Sequence, residues 1–226
     1  MSTVVVMERI TETSPRLQAR IAGVFYLLTI VARVIADAFV RNRLVVSDDA
    51  AATATNIMAH EPLFRLGFAA DIIAFASYIA LTALLYELFK PVNRSLSLVA
   101  AFFSLVAAVV QAISSLFHLA PLFLLGGAPY LRVFTVEQLQ ALALVFLRLR
   151  AAAYHSIGLV FFGVYCLLVG ILILRSTFLP RILGVLMVLA GLSYVLFLSP
   201  ELAWSLQPYI LVSPALGKYR CACGFS

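Results

Sequence analysis

The sequence predicts an all-α fold, a polytopic transmembrane helix bundle of about six spans, and three observations carry that expectation. Of its 226 residues 64% are apolar and 12% charged, with a mean hydropathy of +1.07. A water-soluble domain carries about 45–50% apolar and about 25% charged residues, so the surplus cannot be hidden in one core and part of the solvent must be lipid. The apolar residues also come in long runs, near the roughly 20 residues that cross a bilayer as helix. Finally, the basic residues gather in the short connectors between those runs, as membrane topology demands. The formal charge of +6 therefore does not point to nucleic acid, since no basic run or basic–aromatic interleaving occurs.

The elements follow in order. Residues 1–20 hold Glu8, Arg9, Glu12, Arg16 and Arg20 and show no cleavable-signal pattern, so residues 21–40 are expected to be a retained first span. In the polar connector 41–61, Ser47-Asp48-Asp49 can cap a short Ala-rich helix ending near His60. Pro62 suits the first turn of a second span, 63–89. The basic turn Lys90-Pro91-Val92-Asn93-Arg94 leads to a third, 95–125. Gly126-Gly127-Ala128-Pro129 breaks it, and Thr135-Val136-Glu137-Gln138 reads as a capping box. Residues 136–150 are expected to form an interfacial or extramembrane lead-in, with Arg148 and Arg150 anchored among head groups, and 151–174 the fourth span. Arg175, Pro180 and Arg181 mark a turn to a fifth, 182–198, and a sixth occupies 202–217. Gly158, Gly163, Gly184 and Gly191 are read as sites of close helix approach. No repeat or low-complexity linker divides the chain, which is taken as one membrane domain, 1–226.

Lysine and arginine placement orients the bundle. Arg9, Arg16, Arg20, Lys90, Arg94, Arg175, Arg181, Lys218 and Arg220 fall on one side. Arg41, Arg43, Arg65, Arg132, Arg148 and Arg150 fall on the other, offset there by Asp48, Asp49, Glu61 and Glu137. Both termini are expected in the cytoplasm.

Ionisable residues inside the spans are the candidates for function: Arg33, Asp37, Asp71, His118 and His155. On insertion scales a charge at mid-span costs about 2.5–3.5 kcal/mol and is kept where it pairs or works. Counting from the span ends at 1.5 Å per residue places Asp37, Asp71, His118 and His155 at similar depth in the outer leaflet, with Arg33 a turn deeper. Arg33 and Asp37, four apart, can pair along one helix face. Three readings stay open. The cluster is inter-helix glue, with Asp71 bonded to Arg33 or a tyrosine; it is a ligand-binding or proton-exchanging site of a carrier or sensor; or His118 and His155 hold a haem.

Catalysis is not expected. There is no Gly-x-Ser-x-Gly, His-Glu-x-x-His or phosphate-loop pattern, and His60-Glu61 lacks a second histidine. Cys166 is read as a small core residue. Cys221 and Cys223 lack the spacing of a zinc site. The expected partners are lipid and, beyond it, a small ligand or a membrane protein.

Several segments resemble the bacterial membrane family catalogued as domain of unknown function 4386. They are Ala19-Arg20-Ile21-Ala22-Gly23-Val24-Phe25-Tyr26-Leu27-Leu28-Thr29, Phe64-Arg65-Leu66-Gly67 with Asp71, and Leu88-Phe89-Lys90-Pro91-Val92-Asn93-Arg94. Glu137-Gln138-Leu139-Gln140-Ala141, Ile157-Gly158-Leu159-Val160-Phe161-Phe162-Gly163 and Leu179-Pro180-Arg181-Ile182-Leu183-Gly184-Val185-Leu186 complete the set. The resemblance implies about six helices in a bacterial inner membrane and brings no activity or catalytic residues. The ending Gly217–Ser226 departs from the family's apolar last helix. A shifted reading of permissible codons restores a membrane-compatible ending, so the tail 218–226 is expected to be a frameshift product.

Overall fold

A computed structural model describes residues 15–46 and 48–195. Helix α1 runs through Pro15–Val34, a π-helical stretch Ile35–Arg41 and a last turn Asn42–Leu44. Then come α2 (Ala50–Ala59), α3 (Glu61–Phe89) and α4 (Arg94–Leu125). Helix α5 is built from Val136–Ala152, a second π-helical stretch Ala153–Gly158, and Leu159–Arg175; α6 is Arg181–Val195. No strand occurs among the described residues.

Local chemistry sets the ends. Asp49 caps α2 by accepting from the Ala52 amide at 2.8 Å, and Asn93 caps α4 by accepting from Leu96 at 2.9 Å. Pro62 sits in the first turn of α3. Gly127, at φ +73°, makes the turn after α4, a backbone region in which a side chain would be strained. Thr135 and Gln138 form a reciprocal capping box at the start of α5.

The spans expected at 21–40, 63–89 and 95–125 emerge as α1, α3 and α4, each long and apolar enough to cross a membrane. The fourth is continuous with its expected lead-in. The lead-in 136–150 and the span 151–174 are one unbroken helix, Val136–Arg175. At 1.5 Å per residue it is about 60 Å long, twice the hydrocarbon thickness. Arg148 and Arg150 do not interrupt it, because arginine is a good helix former. The fifth expected span begins as α6, a 15-residue apolar helix. The expected sixth span and the tail 218–226 lie outside the described residues.

Packing has the polarity of a membrane protein. On α4, Phe102, Val109, Leu116 and Phe123 recur every seven residues on the outside, while Ser97, Ser104, Ser114, Ser115 and His118 are buried. Small and polar residues inside, large apolar ones outside, is how helices associate in lipid. Helix α1 packs along α3, α3 on α4, α4 on α5 and α5 on α6, while α2 lies across the first half of α5. At the α5–α6 seam a Cβ on Gly163 would lie 3.0 Å from the Gly191 carbonyl oxygen, and one on Gly170 would lie 2.9 Å from that of Gly184. Gly158, expected in this role, is not part of the seam: a Cβ there would make ordinary contact with Val110 on α4 at 3.7 Å.

Two apolar clusters result. One joins Val40, Leu44, Ile57, Phe64 and Leu147. The other includes Tyr78, Leu81, Phe89, Ala100, Tyr165, Cys166 and Leu172. Along α3, Asp71 lies midway between them, seven residues (about 10 Å) from both Phe64 and Tyr78.

Candidate functional site

Asp71 projects from the buried face of α3, the face that also carries Phe64, Gly67, Ala74 and Tyr78. Its side chain is wholly enclosed (0% exposed), and three guanidinium groups meet it. Arg33 Nη1 donates to Oδ1 at 3.3 Å. Arg41 straddles the carboxylate, with Nη1 on Oδ2 at 3.0 Å and Nη2 on Oδ1 at 3.4 Å. Arg150 Nη2 donates to Oδ2 at 3.0 Å. A single carboxylate thus ties α1 and α5 to α3.

The arginines are held in turn. Arg33 Nη2 donates to Gln111 Oε1 on α4, and its guanidinium lies over the rings of Phe75 and Tyr154, at 5.2 and 5.1 Å from their centroids. Such stacking suits a weakly hydrated cation taken out of water. Arg41 Nε donates to Asp37 at 2.6 Å. Gly67, one turn before Asp71, lets α1 come close: a Cβ there would meet Val40 Cγ1 at 2.9 Å and His118 Nε2 at 3.4 Å. Both π-helical stretches border the centre, one carrying Asp37 and Arg41, the other Tyr154 and His155. Such wide turns give up regular hydrogen bonding and are frequent at functional sites.

The expected residues fall into place unequally. Arg33 and Asp71 meet directly. Asp37 joins through Arg41, and the expected Arg33–Asp37 pair is replaced. Asp37 has an arginine four residues away on either side; Asp71 draws Arg33 inward, and Asp37, 56% exposed, takes Arg41 at the rim. His118 is wholly buried, stacked on Phe64 at 4.0 Å, with Nε2 donating to the Phe64 carbonyl at 3.0 Å. Its Nδ1 has no hydrogen-bond partner among the described residues. His155 is half-buried, with Nδ1 on the Ala151 carbonyl at 2.7 Å.

Arg41, Gln111 and Arg150 were not among the expected site residues. Arg150 corrects a specific expectation: it is buried on Asp71, not anchored among head groups. Ala143, Leu147, Arg150, Tyr154 and Gly158 recur at spacings of three and four along α5, and that pattern is the signal that could have placed it. Arg148, two residues away on another face, pairs with Asp48 in the α1–α2 connector at 3.3 Å. Cys166 is buried in the apolar cluster as expected. Among the described residues no group of three or more His, Cys, Asp or Glu gathers into a metal site; Cys221 and Cys223 lie outside them.

Comparison with curated proteins finds no match, and comparison with solved structures finds none. The family described as Domain of unknown function (DUF4386) matches residues 21–216, a stretch that includes α1 from its second turn onward, all of α2 to α6, and every residue of the Asp71 centre. The chain belongs to that family.

Proposed function

We propose that the chain is a non-catalytic multi-pass protein of a bacterial inner membrane, with both ends cytoplasmic, in which the Asp71 centre locks the outer-leaflet half of the bundle. The observation that carries this reading is the wholly buried Asp71 claimed by Arg33 and Arg41 from α1 and by Arg150 from α5. Lipid chains are as apolar as leucine, so burial alone does not hold such helices together, and a shared ion centre does. Removing one partner of a buried ion group leaves uncompensated charge and costs about 3–5 kcal/mol. Asp71→Asn should therefore lower detergent stability by that order, while Glu61→Gln, which breaks an exposed pair with Arg65, should cost about 0.5 kcal/mol or less. Equal stability of the two variants would overturn the lock.

A second reading, a carrier or sensor that takes a ligand at this centre, is favoured by the charge balance. Three arginines face Asp71 and the rim residue Asp37, which leaves one positive charge over. The haem reading gains no support from the packing of His118. Its ring is enclosed on Phe64 and its Nε2 is engaged.

A further inference from the structure

We propose that the Asp71 centre binds an oxyanion, a phosphate group, between Arg33, Arg41 and Arg150. This rests on the second reading above, that the centre takes a ligand, and names its chemistry. A carboxylate offers about four lone-pair sites, and Asp71 already accepts four hydrogen bonds from the three arginines. It has no capacity left. Each guanidinium carries five N–H donors, so the supply of donors exceeds the acceptors of the centre. Arg150 shows the excess directly: it is 8% exposed, its Nη2 alone donates to Asp71, and its Nε has no hydrogen-bond partner among the described residues.

A water molecule would answer the missing acceptors but not the missing charge. Asp37 is the other carboxylate of the group and lies at the rim. Two carboxylates, then, stand against three cations, and one positive charge is left unanswered. An oxyanion supplies acceptors and negative charge together, and arginine forks match phosphate geometry. Arg33 and Arg41 keep 17% and 11% of their side-chain surface exposed, so the centre is not sealed at its α1 side. The same chemistry is offered by free phosphate and by the phosphate of a lipid head group.

The test uses the full chain, purified and delipidated in a neutral detergent, with inorganic phosphate as one probe. The other arm places the chain in nanodiscs of phosphatidylglycerol or of phosphatidylcholine. At ten times the dissociation constant, the ligand should raise the melting midpoint by about 3 °C or more, relative to chloride at equal ionic strength or to phosphatidylcholine. Arg41→Gln and Arg33→Gln should lose most of that shift. A shift with inorganic phosphate assigns a free anion, and a shift with phosphatidylglycerol alone assigns a lipid head group. No shift of the unmodified chain in either arm overturns the proposal, as does an undiminished shift in both variants. The lock reading fails differently, through unchanged stability of Asp71→Asn without any probe.

Discussion

From Asp71 toward the α1–α2 connector, and from Tyr78 toward the Lys90–Arg94 turn, helices α3, α4 and α5 run side by side, yet different chemistry joins them. In the first half ionic contacts, made by one enclosed carboxylate, three arginines and the Gln111 amide, stand beside the apolar cluster of Val40, Ile57, Phe64 and Leu147. In the second the contacts are apolar and small, with Tyr78, Leu81, Tyr165 and Leu172 packed together and single hydroxyl bonds such as Thr82 to Ser104 at 2.6 Å. Beside that half, α5 and α6 touch backbone to backbone at paired glycines. The contrast teaches that this bundle has two ways of closing where lipid gives no hydrophobic drive. Close approach multiplies weak dispersion contacts. A shared charge concentrates the attraction at one point, and leaves that half sensitive to a single atom.

The largest expected effect tests that sensitivity. Asp71→Asn should destabilise by about 3–5 kcal/mol and loosen α1 from α3 first. Amide exchange faster in α1 than in α6 would sharpen the contrast, and uniform loosening would blur it. Next comes the glycine seam. A Cβ at residue 191 would sit 2.7 Å from the Gly163 carbonyl oxygen and 2.8 Å from the Leu167 amide nitrogen, and backbone cannot swing aside as a side chain can. Gly191→Ala should cost about 1–3 kcal/mol as an overpacking change, read by thermal denaturation, with the Asp71 centre intact. Smallest is Thr82→Val. It removes the hydroxyl bond to Ser104 while keeping the volume, and such bonds in membrane bundles average about 0.6 kcal/mol. A cost above about 2 kcal/mol would mean that the apolar half also depends on a polar anchor.

Much of this was legible in the sequence, and the exceptions have physical causes. The spans are legible because apolar length is a direct demand of the bilayer, and the capping box at Thr135 because its two bonds are local. Asp71 and Arg33 stood out as charges in apolar surroundings. Arg150 and Arg41 did not, since each lies where an apolar run meets a polar one, and position along the chain does not tell a rim arginine from a buried one. The continuity of α5 was hidden for a related reason: residues 136–157 contain no glycine or proline, so nothing marks where helix outside the bilayer becomes helix within it. The Arg33–Asp37 pair was a fair local expectation. It was overridden by Asp71, thirty-eight residues from Arg33, which no local spacing reveals.

The central claim is that Asp71 and its arginines act as one unit, and a double-mutant cycle between Asp71→Asn and Arg150→Gln measures it most directly. Coupled groups show interaction energies of about 0.5–3 kcal/mol. Arg150→Gln should therefore cost clearly less in the Asp71→Asn background than in the unmodified chain, because the charge it answers is gone. Costs that simply add, within about 0.5 kcal/mol, would contradict the account.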